Sequence, residues 1–296
     1  MSTVDVTARI AGAPISWGVC EVPGWGHQLE PERVLAEMRD AGLSATEFGP
    51  AGFLPDDPRD KARVLADHGL AAVGGFVPVV LHDSAHDPLP EVDRTLDGLL
   101  AAGADVLVLA AATGRAGYDG RPTLDDGTWK ELLGNLDRLT EHAAGRGVRA
   151  CLHPHVGTMI ESSGEVHRVL DQSAAALCLD TGHLLIGGTD PVALTREAVD
   201  RIVHTHLKDV DAEWARRVQS GEVTYTDAVA AGMYRPLGAG DVDIAAIVTT
   251  LESGAYAGWY VMEQDTVLTQ EPGDEGPLAD VRASVAYLRA LGGAAA

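Results

Sequence analysis

At 296 residues, 46% of them hydrophobic, the chain is long enough for one large α/β barrel or two ordinary domains. Its formal charge of −22 argues against nucleic acid as a partner, because a phosphate-binding surface needs an excess of cations. No apolar run nears the ~18–20 residues needed to span a bilayer, so no membrane-spanning helix is expected.

Residues 8–18 read as a first strand running into a Gly-rich aromatic loop around Trp17, Gly24, Trp25 and Gly26. A helix over 31–42 follows, with Pro31 in its first turn, Val34, Leu35, Met38 and Ala41 on one face, and Gly42 as its stop. A short strand at 44–48, a helix at 58–68 and an apolar run at 70–81 come next. The unit then repeats: helix 89–102 and strand 105–112, helix 125–146 and strand 148–153, helix 162–172 and strand 175–180, helix 190–199 and strand 201–207. A polar stretch at 211–235 interrupts the pattern before helix 243–253, strand 257–263 and helix 275–291.

Eight strands, apolar throughout and alternating strictly with eight helices, imply a parallel sheet covered on both faces. The expected fold is α/β: one (β/α)8 TIM barrel over 1–296, with a loop or helical insertion after strand 7 at 211–235 and a frayed tail at 292–296. A doubly wound sheet is the runner-up, but no strand leads into a GxGxxG turn. Cys20, Cys151 and Cys178 lack metal-knuckle spacing and read as buried thiols in a reducing compartment. The N-terminal Met-Ser-Thr-Val-Asp-Val has no basic segment followed by an apolar one, so no signal peptide is read and a cytoplasmic location is expected.

In such a barrel, function collects at the C-terminal ends of strands. There the chain offers Glu47, His82, His153-Pro154-His155, Asp180-Thr181-Gly182-His183, His204, His206, Lys208 and Asp209, and Glu263-Gln264-Asp265. His204, His206 and Lys208 alternate along one strand and so share a face, where burying them costs free energy unless partners or a metal compensate. The pattern points to one divalent metal held by His153, Asp180, His206 and Glu263, with His155 as the alternative ligand on strand 5. Mixed nitrogen and oxygen donors suit Mn²⁺, Co²⁺, Fe²⁺ or Zn²⁺ better than Mg²⁺ or Ca²⁺. His204 lies deeper and reads as a supporting core residue, and a lone Asp-Thr-Gly-His reads equally well as a turn plus a helix cap. His68, His142 and His167 fall on helices and read as surface residues.

The series His-Pro-His-Val-Gly-Thr at 153–158, Asp-Thr-Gly-His at 180–183, His-Leu-Lys-Asp-Val at 206–210 and Glu-Gln-Asp at 263–265 resembles the xylose isomerase-like sugar isomerase/epimerase barrels. Within them it is most similar to the inosose (2-keto-myo-inositol) dehydratases. Ala13-Pro14-Ile15-Ser16-Trp17, Thr46-Glu47-Phe48-Gly49 and the stretch 236–243 support the match, which covers nearly the whole chain. His153 stands where most isomerases and epimerases of the group carry a glutamate, which speaks against a symmetric two-glutamate epimerisation.

The resemblance implies a lyase that dehydrates a keto-cyclitol or keto-sugar through a metal-stabilised enediolate, Mn²⁺ being the expected ion. Glu263 or a strand 5 imidazole, with His155 as candidate, would take the α-proton. Lys208 or His183 would assist departure of the β-hydroxyl, unless Lys208 merely neutralises Asp209 or Glu263. Glu47, Glu161 and His82 are expected to bind substrate hydroxyls, and Trp17 and Trp25 to pack on its ring. An isomerase or epimerase using the same enediolate is the alternative; a non-catalytic sugar-binding barrel is a third reading. The expected partner is a small polyol or keto-sugar, and pairing into a homodimer is compatible with such a barrel.

Overall fold

The computed structural model describes residues 6–294. Eight parallel strands close into a barrel: β1 (Ile10–Gly12), β2 (Ala45–Glu47), β3 (Ala71–Val79), β4 (Val106–Ala111), β5 (Arg149–Leu152), β6 (Ala176–Asp180), β7 (Ile202–Leu207) and β10 (Tyr260–Met262). Between β7 and β10 lies a two-stranded antiparallel sheet, β8 (Asp209–Val210) and β9 (Tyr234–Arg235). Around the barrel run α1 (Pro31–Asp40), α2 (Pro58–Asp67), α3 (Leu89–Ala102), α4 (Asp126–Gly145), α5 (Ser163–Gln172), α7 (Pro191–Glu197), α10 (Ile244–Ser253) and α11 (Pro277–Ala294). No described helix is long and apolar enough to cross a membrane.

Capping residues locate the helix starts. Asp57 accepts from the amides of Arg59 and Asp60 at the head of α2, and Asp125 accepts from Thr128 at the head of α4. Ser162 and Glu165 form a reciprocal capping box on α5. The apolar faces then bury against the strands, with Leu96 and Leu99 of α3 and Leu132, Leu136 and Leu139 of α4 fully enclosed. Each such leucine contributes roughly 1.5–3 kcal/mol. Inside the barrel, small and branched side chains fill the lower layers: Ala11, Ala45, Val73 and Val261 on one side, Val106, Val108, Cys151 and Cys178 on the other.

The structure departs from the sequence reading in three places. The first strand covers only Ile10–Gly12, between 3₁₀ turns at Val6–Arg9 and Pro14–Trp17, because Pro14 starts a turn instead of extending the ladder. Alternation is not strict: α6 (Thr181–Ile186) starts directly on the end of β6, ahead of α7. The insertion after strand 7, read as loop or helical, holds α8 (Ala212–Gln219) and α9 (Tyr225–Ala230) between β8 and β9. Residues 292–294, read as frayed, continue α11; residues 1–5 and 295–296 lie outside the described residues.

Two register shifts matter for the site. One between Leu177 and Cys178 sets Asp180 beside His206, and one between Thr46 and Glu47 sets Glu47 beside Gly74. A Cβ at position 74 would lie 2.9 Å from Glu47 Oε1, so only glycine leaves room for that carboxylate.

Asp209, weighed above as a counterion for Lys208, has another task. Its Oδ2 accepts from the amides of Gly238 and Gly240 and its Oδ1 from those of Val210 and Val242, which ties the 236–242 loop to the end of strand 7. Asp209→Ala leaves four amides unpaired, those of Val210 and Val242 buried, and is expected to cost about 3 kcal/mol of unfolding free energy, read from urea midpoints. A midpoint within error of wild type would contradict this anchoring role.

Candidate active site

A cavity opens at the C-terminal mouth of the barrel. Pro14, Ile15, Val19, Trp25, Pro50 and Phe76 give it an apolar wall; Glu47, His153, His155, His206, Lys208, Glu263 and Asp265 give it a polar one. Cys20, Glu21 and Tyr118 belong to the loops above, and the Tyr118 hydroxyl donates to Glu21 Oε1. Gly157 lets the Tyr118 loop settle on the site: its φ is +77°, and a Cβ there would be 2.3 Å from the Tyr118 carbonyl oxygen.

The polar wall rises in layers along strand 7. Lowest is His204, whose Nε2 lies 2.7 Å from Glu47 Oε1; above it His206 Nε2 lies 2.9 Å from the same oxygen. A carboxylate can only accept, so Glu47 holds the proton of His206 on Nε2 and leaves Nδ1 to face the cavity. That Nδ1 is buried without a hydrogen-bond partner, yet stands 3.3 Å from Glu263 Oε2 and 3.7 Å from Asp180 Oδ2. The three atoms form a compact trio of one nitrogen and two carboxylate oxygens.

Asp180 divides its two oxygens. Oδ1 accepts from the amide of His183 and caps α6, while Oδ2 faces His153 Nε2 at 3.1 Å and Lys208 Nζ at 3.5 Å. The cap and the site residue weighed as alternatives are therefore one side chain. His153 does not join the trio: it sits on its flank through Asp180, and groups with Asp180 and His183. Topmost is Lys208, whose Nζ lies 2.5 Å from Asp265 Oδ1, 3.1 Å from Glu263 Oε2 and 3.2 Å from His183 Nε2.

Charge follows from this packing. Burial opposes charge on Lys208, but Asp180, Asp265 and Glu263 outweigh it and hold the ammonium well above the usual lysine range. Burial likewise opposes charge on His206, and Glu263, Glu47 and Asp180 push it up to about 10. Burial pushes the Glu263 carboxyl up to about 7, against the pull of His206 and Lys208. His153 is pushed down to about 4 by burial, and burial holds His155 and His183 well below the ordinary imidazole range, so these three rings are neutral at pH 7. His155 Nδ1 lies 2.6 Å from the Val156 carbonyl and must donate to it, which leaves Nε2 with the lone pair on a ring that lines the cavity.

Several expected site residues lie elsewhere. Trp17 is fully buried away from the cavity, its Nε1 donating to Glu37 Oε2 at 2.8 Å, because the Pro14–Trp17 turn rotates it toward α1; Trp25 lines the cavity instead. Glu161 accepts from the Gly157 amide at 2.7 Å and pairs with Arg121, supporting the strand 5 loop outside the cavity. His82 is half-buried and does not line the cavity, since the strand it follows ends at Val79. His183 sits behind His155, the ring centroids 3.7 Å apart, and also does not line the cavity. Glu47 lies on the cavity floor with one oxygen committed to two imidazoles.

Asp265, Tyr225 and Tyr234 were not singled out as site residues. Asp265 follows Glu263 by two positions, the spacing that puts both carboxylates on one side of an extended segment, and this was the one available signal.

The xylose isomerase-like TIM barrel family model matches residues 35–291. The chain is 33% identical to the rhizopine catabolism protein MocC of Rhizobium meliloti over 92% of its own length and 85% of that protein's. It is 30% identical to an inosose dehydratase of Geobacillus kaustophilus over 96% and 94%. Among solved structures, it is similar to a 3-keto-D-glucoside 4-epimerase from E. coli, with a TM-score of 0.67, 18% identity and coverage of 95% and 99%.

The raised protonation of Glu263 and His206 sets a pH dependence for protein held free of divalent cations by a chelator. Both groups keep protons in the folded state beyond the unfolded values of about 4.3 and 6.5, so their contribution to stability is present below those values. It is lost as pH rises through about 7 for Glu263 and about 10 for His206. Chemical denaturation from pH ~5 upward is expected to show this decline, and Glu263→Gln to flatten its first part. An equally steep decline in the variant would contradict the raised carboxyl.

Proposed function

The chain belongs to the xylose isomerase-like TIM barrel family, and we propose that it is a metal-dependent lyase that removes water from a keto-cyclitol of the inosose type. The observation that carries the reading is the trio of Asp180 Oδ2, His206 Nδ1 and Glu263 Oε2, with the imidazole nitrogen buried and lacking any hydrogen-bond partner. Relatives named inosose dehydratase, 28–30% identical over almost the full chain, support the choice of reaction. The epimerase structures similar to it are 16–18% identical and speak to fold alone.

Asp180, His206 and Glu263 would hold the ion, with His153 beside Asp180 as the fourth candidate ligand. Such a donor set suits Mn²⁺, Co²⁺, Fe²⁺ or Zn²⁺, and Mn²⁺ is our assignment. A bound divalent ion supplies Lewis-acid polarisation of the substrate ketone. Glu47 fixes the ring of His206 from behind.

His155 Nε2, neutral and facing the cavity, accepts the proton from the carbon next to the ketone. The electron pair of that C–H bond becomes a carbon–carbon double bond, and the C–O bond one carbon further on breaks. The departing oxygen takes a proton from the Lys208 ammonium and leaves as water; the lysine recovers a proton from solvent. Trp25, Phe76 and Val19 cover the substrate's less polar face and keep water from the reacting carbons. The enzyme is taken as cytoplasmic, and its three cysteines are free.

Two measurements check this. Purified protein is expected to carry about one equivalent of divalent metal, lost in both His206→Ala and Asp180→Ala; full retention in both would refute the ligand assignment. Loaded enzyme given 2-keto-myo-inositol is expected to develop an enone absorbance, slowed about a hundredfold or more in His155→Gln. Exchange of the α-proton without net loss of water would instead indicate an isomerase or epimerase.

A further inference from the structure

The polar insertion at 211–235 packs behind the cavity wall, and its contacts run inward to Asp265 and Lys208. Tyr225 Oη donates to Asp265 Oδ2 at 2.7 Å, and the Tyr225 and Tyr234 hydroxyls lie 3.0 Å apart. The other oxygen of Asp265, Oδ1, receives Lys208 Nζ at 2.5 Å. The Tyr234 ring stands 5.4 Å from the same Nζ, in cation–π range. Both tyrosines are 2–3% exposed, and Asp265 and Lys208 line the cavity while the tyrosines do not.

The backbone is arranged to make this contact. Lys208 leaves the end of β7 directly into β8, and β9 returns antiparallel with Tyr234 opposite Val210. Thr224 caps α9 and so starts that helix at Tyr225. Gly182 is the one residue that admits the assembly: a Cβ there would lie 2.7 Å from Lys208 Cβ and 2.9 Å from the Tyr234 ring. Tyr118 approaches from the opposite loop, edge-on to Tyr225, and Asp119 accepts from the Thr226 hydroxyl at 2.8 Å.

Stability alone does not account for such a cluster. Buried ion pairs and tyrosine hydroxyls are costly to desolvate, and apolar side chains of similar volume would fill the space at lower cost. What the cluster does provide is a fixed position for a flexible four-carbon side chain that would otherwise settle on Glu263 and Asp180 alone.

We propose that Asp265 and Tyr225, backed by Tyr234, are positioning residues that hold the Lys208 ammonium where the substrate's hydroxyl departs, making the insertion a working support behind the active-site wall. The inference rests on the dehydratase reading for the identity of that step. The pull of Asp265 away from the metal-binding carboxylates keeps Nζ on the cavity side, so proton donation to the departing oxygen depends on the insertion while removal of the α-proton does not.

The test uses Tyr225→Phe, which keeps the ring, and Asp265→Asn, each in metal-loaded full-length enzyme. Release of water from 2-keto-myo-inositol is expected to fall about tenfold to a hundredfold in kcat, with KM within about twofold. Exchange of the α-proton for deuterium should persist near the wild-type rate, and Tyr234→Phe should show a weaker loss of the same kind. Unchanged water release, or water release and proton exchange falling together, overturns the proposal. A second readout is independent of turnover: the chain has only three lysines, Lys61, Lys130 and Lys208, so nitrogen-15 labelling gives a separable ammonium signal for the buried one. That signal should shift or broaden in Tyr225→Phe and Asp265→Asn, and an unperturbed signal in both overturns the positioning role. Wild-type enzyme that makes no enone refutes the dehydratase reading, and the lysine signal still decides whether Asp265 and Tyr225 position Lys208.

Discussion

Four carboxylates buried together, three of them around one ammonium, set the terms for the whole mouth of this barrel. Glu47, Asp180, Glu263 and Asp265 are each no more than 7% exposed, and Lys208 is the shared partner of the last three. A buried charge without a partner costs several kcal/mol, so each of these groups must be met by a donor, an imidazole or a cation. The surrounding chain supplies what it can. Glu47 receives two imidazoles, Asp180 spends one oxygen on a helix cap, and Asp265 draws a tyrosine from the insertion. Glu263 is left with His206 and a share of Lys208, and burial raises its carboxyl. The remaining negative charge collects beside the unpartnered Nδ1 of His206, where a divalent ion would balance it.

Much of the rest follows as accommodation. The two register shifts, at Leu177/Cys178 and Thr46/Glu47, turn Asp180 and Glu47 into the barrel. Gly74 and Gly182 withhold a Cβ where carboxylate or lysine needs the space. Small residues below, such as Ala11 and Ala45, let a layer of imidazoles sit low in the barrel, and the loops bearing Trp25 and Tyr118 close over it.

The barrel was legible because its signals are periodic: apolar strands and amphipathic helices repeat at intervals that survive without tertiary information. Residues at strand ends inherited that legibility, so Asp180, His206, Glu263 and Lys208 were found where the argument from strand order put them, and His204 proved to be the supporting ring below. Trp17 and His82 failed for a local reason. Each was assigned by proximity to a strand end, but a 3₁₀ turn rotates the first away and strand β3 stops short of the second. Asp265, Tyr225 and Tyr234 were illegible as a group because their meaning lies in contacts across 40 and 9 residues of chain, within a polar stretch that carries no period. The two uses of Asp180 could not be separated from letters, since a cap and a ligand need the same carboxylate.

The central claim, that excess buried negative charge here is balanced by a divalent ion on three particular atoms, is open to direct observation. Crystals grown with Mn²⁺ and measured at the manganese absorption edge should show one anomalous peak bounded by Asp180 Oδ2, His206 Nδ1 and Glu263 Oε2. A peak seated elsewhere in the barrel, or none at saturating Mn²⁺, would contradict it.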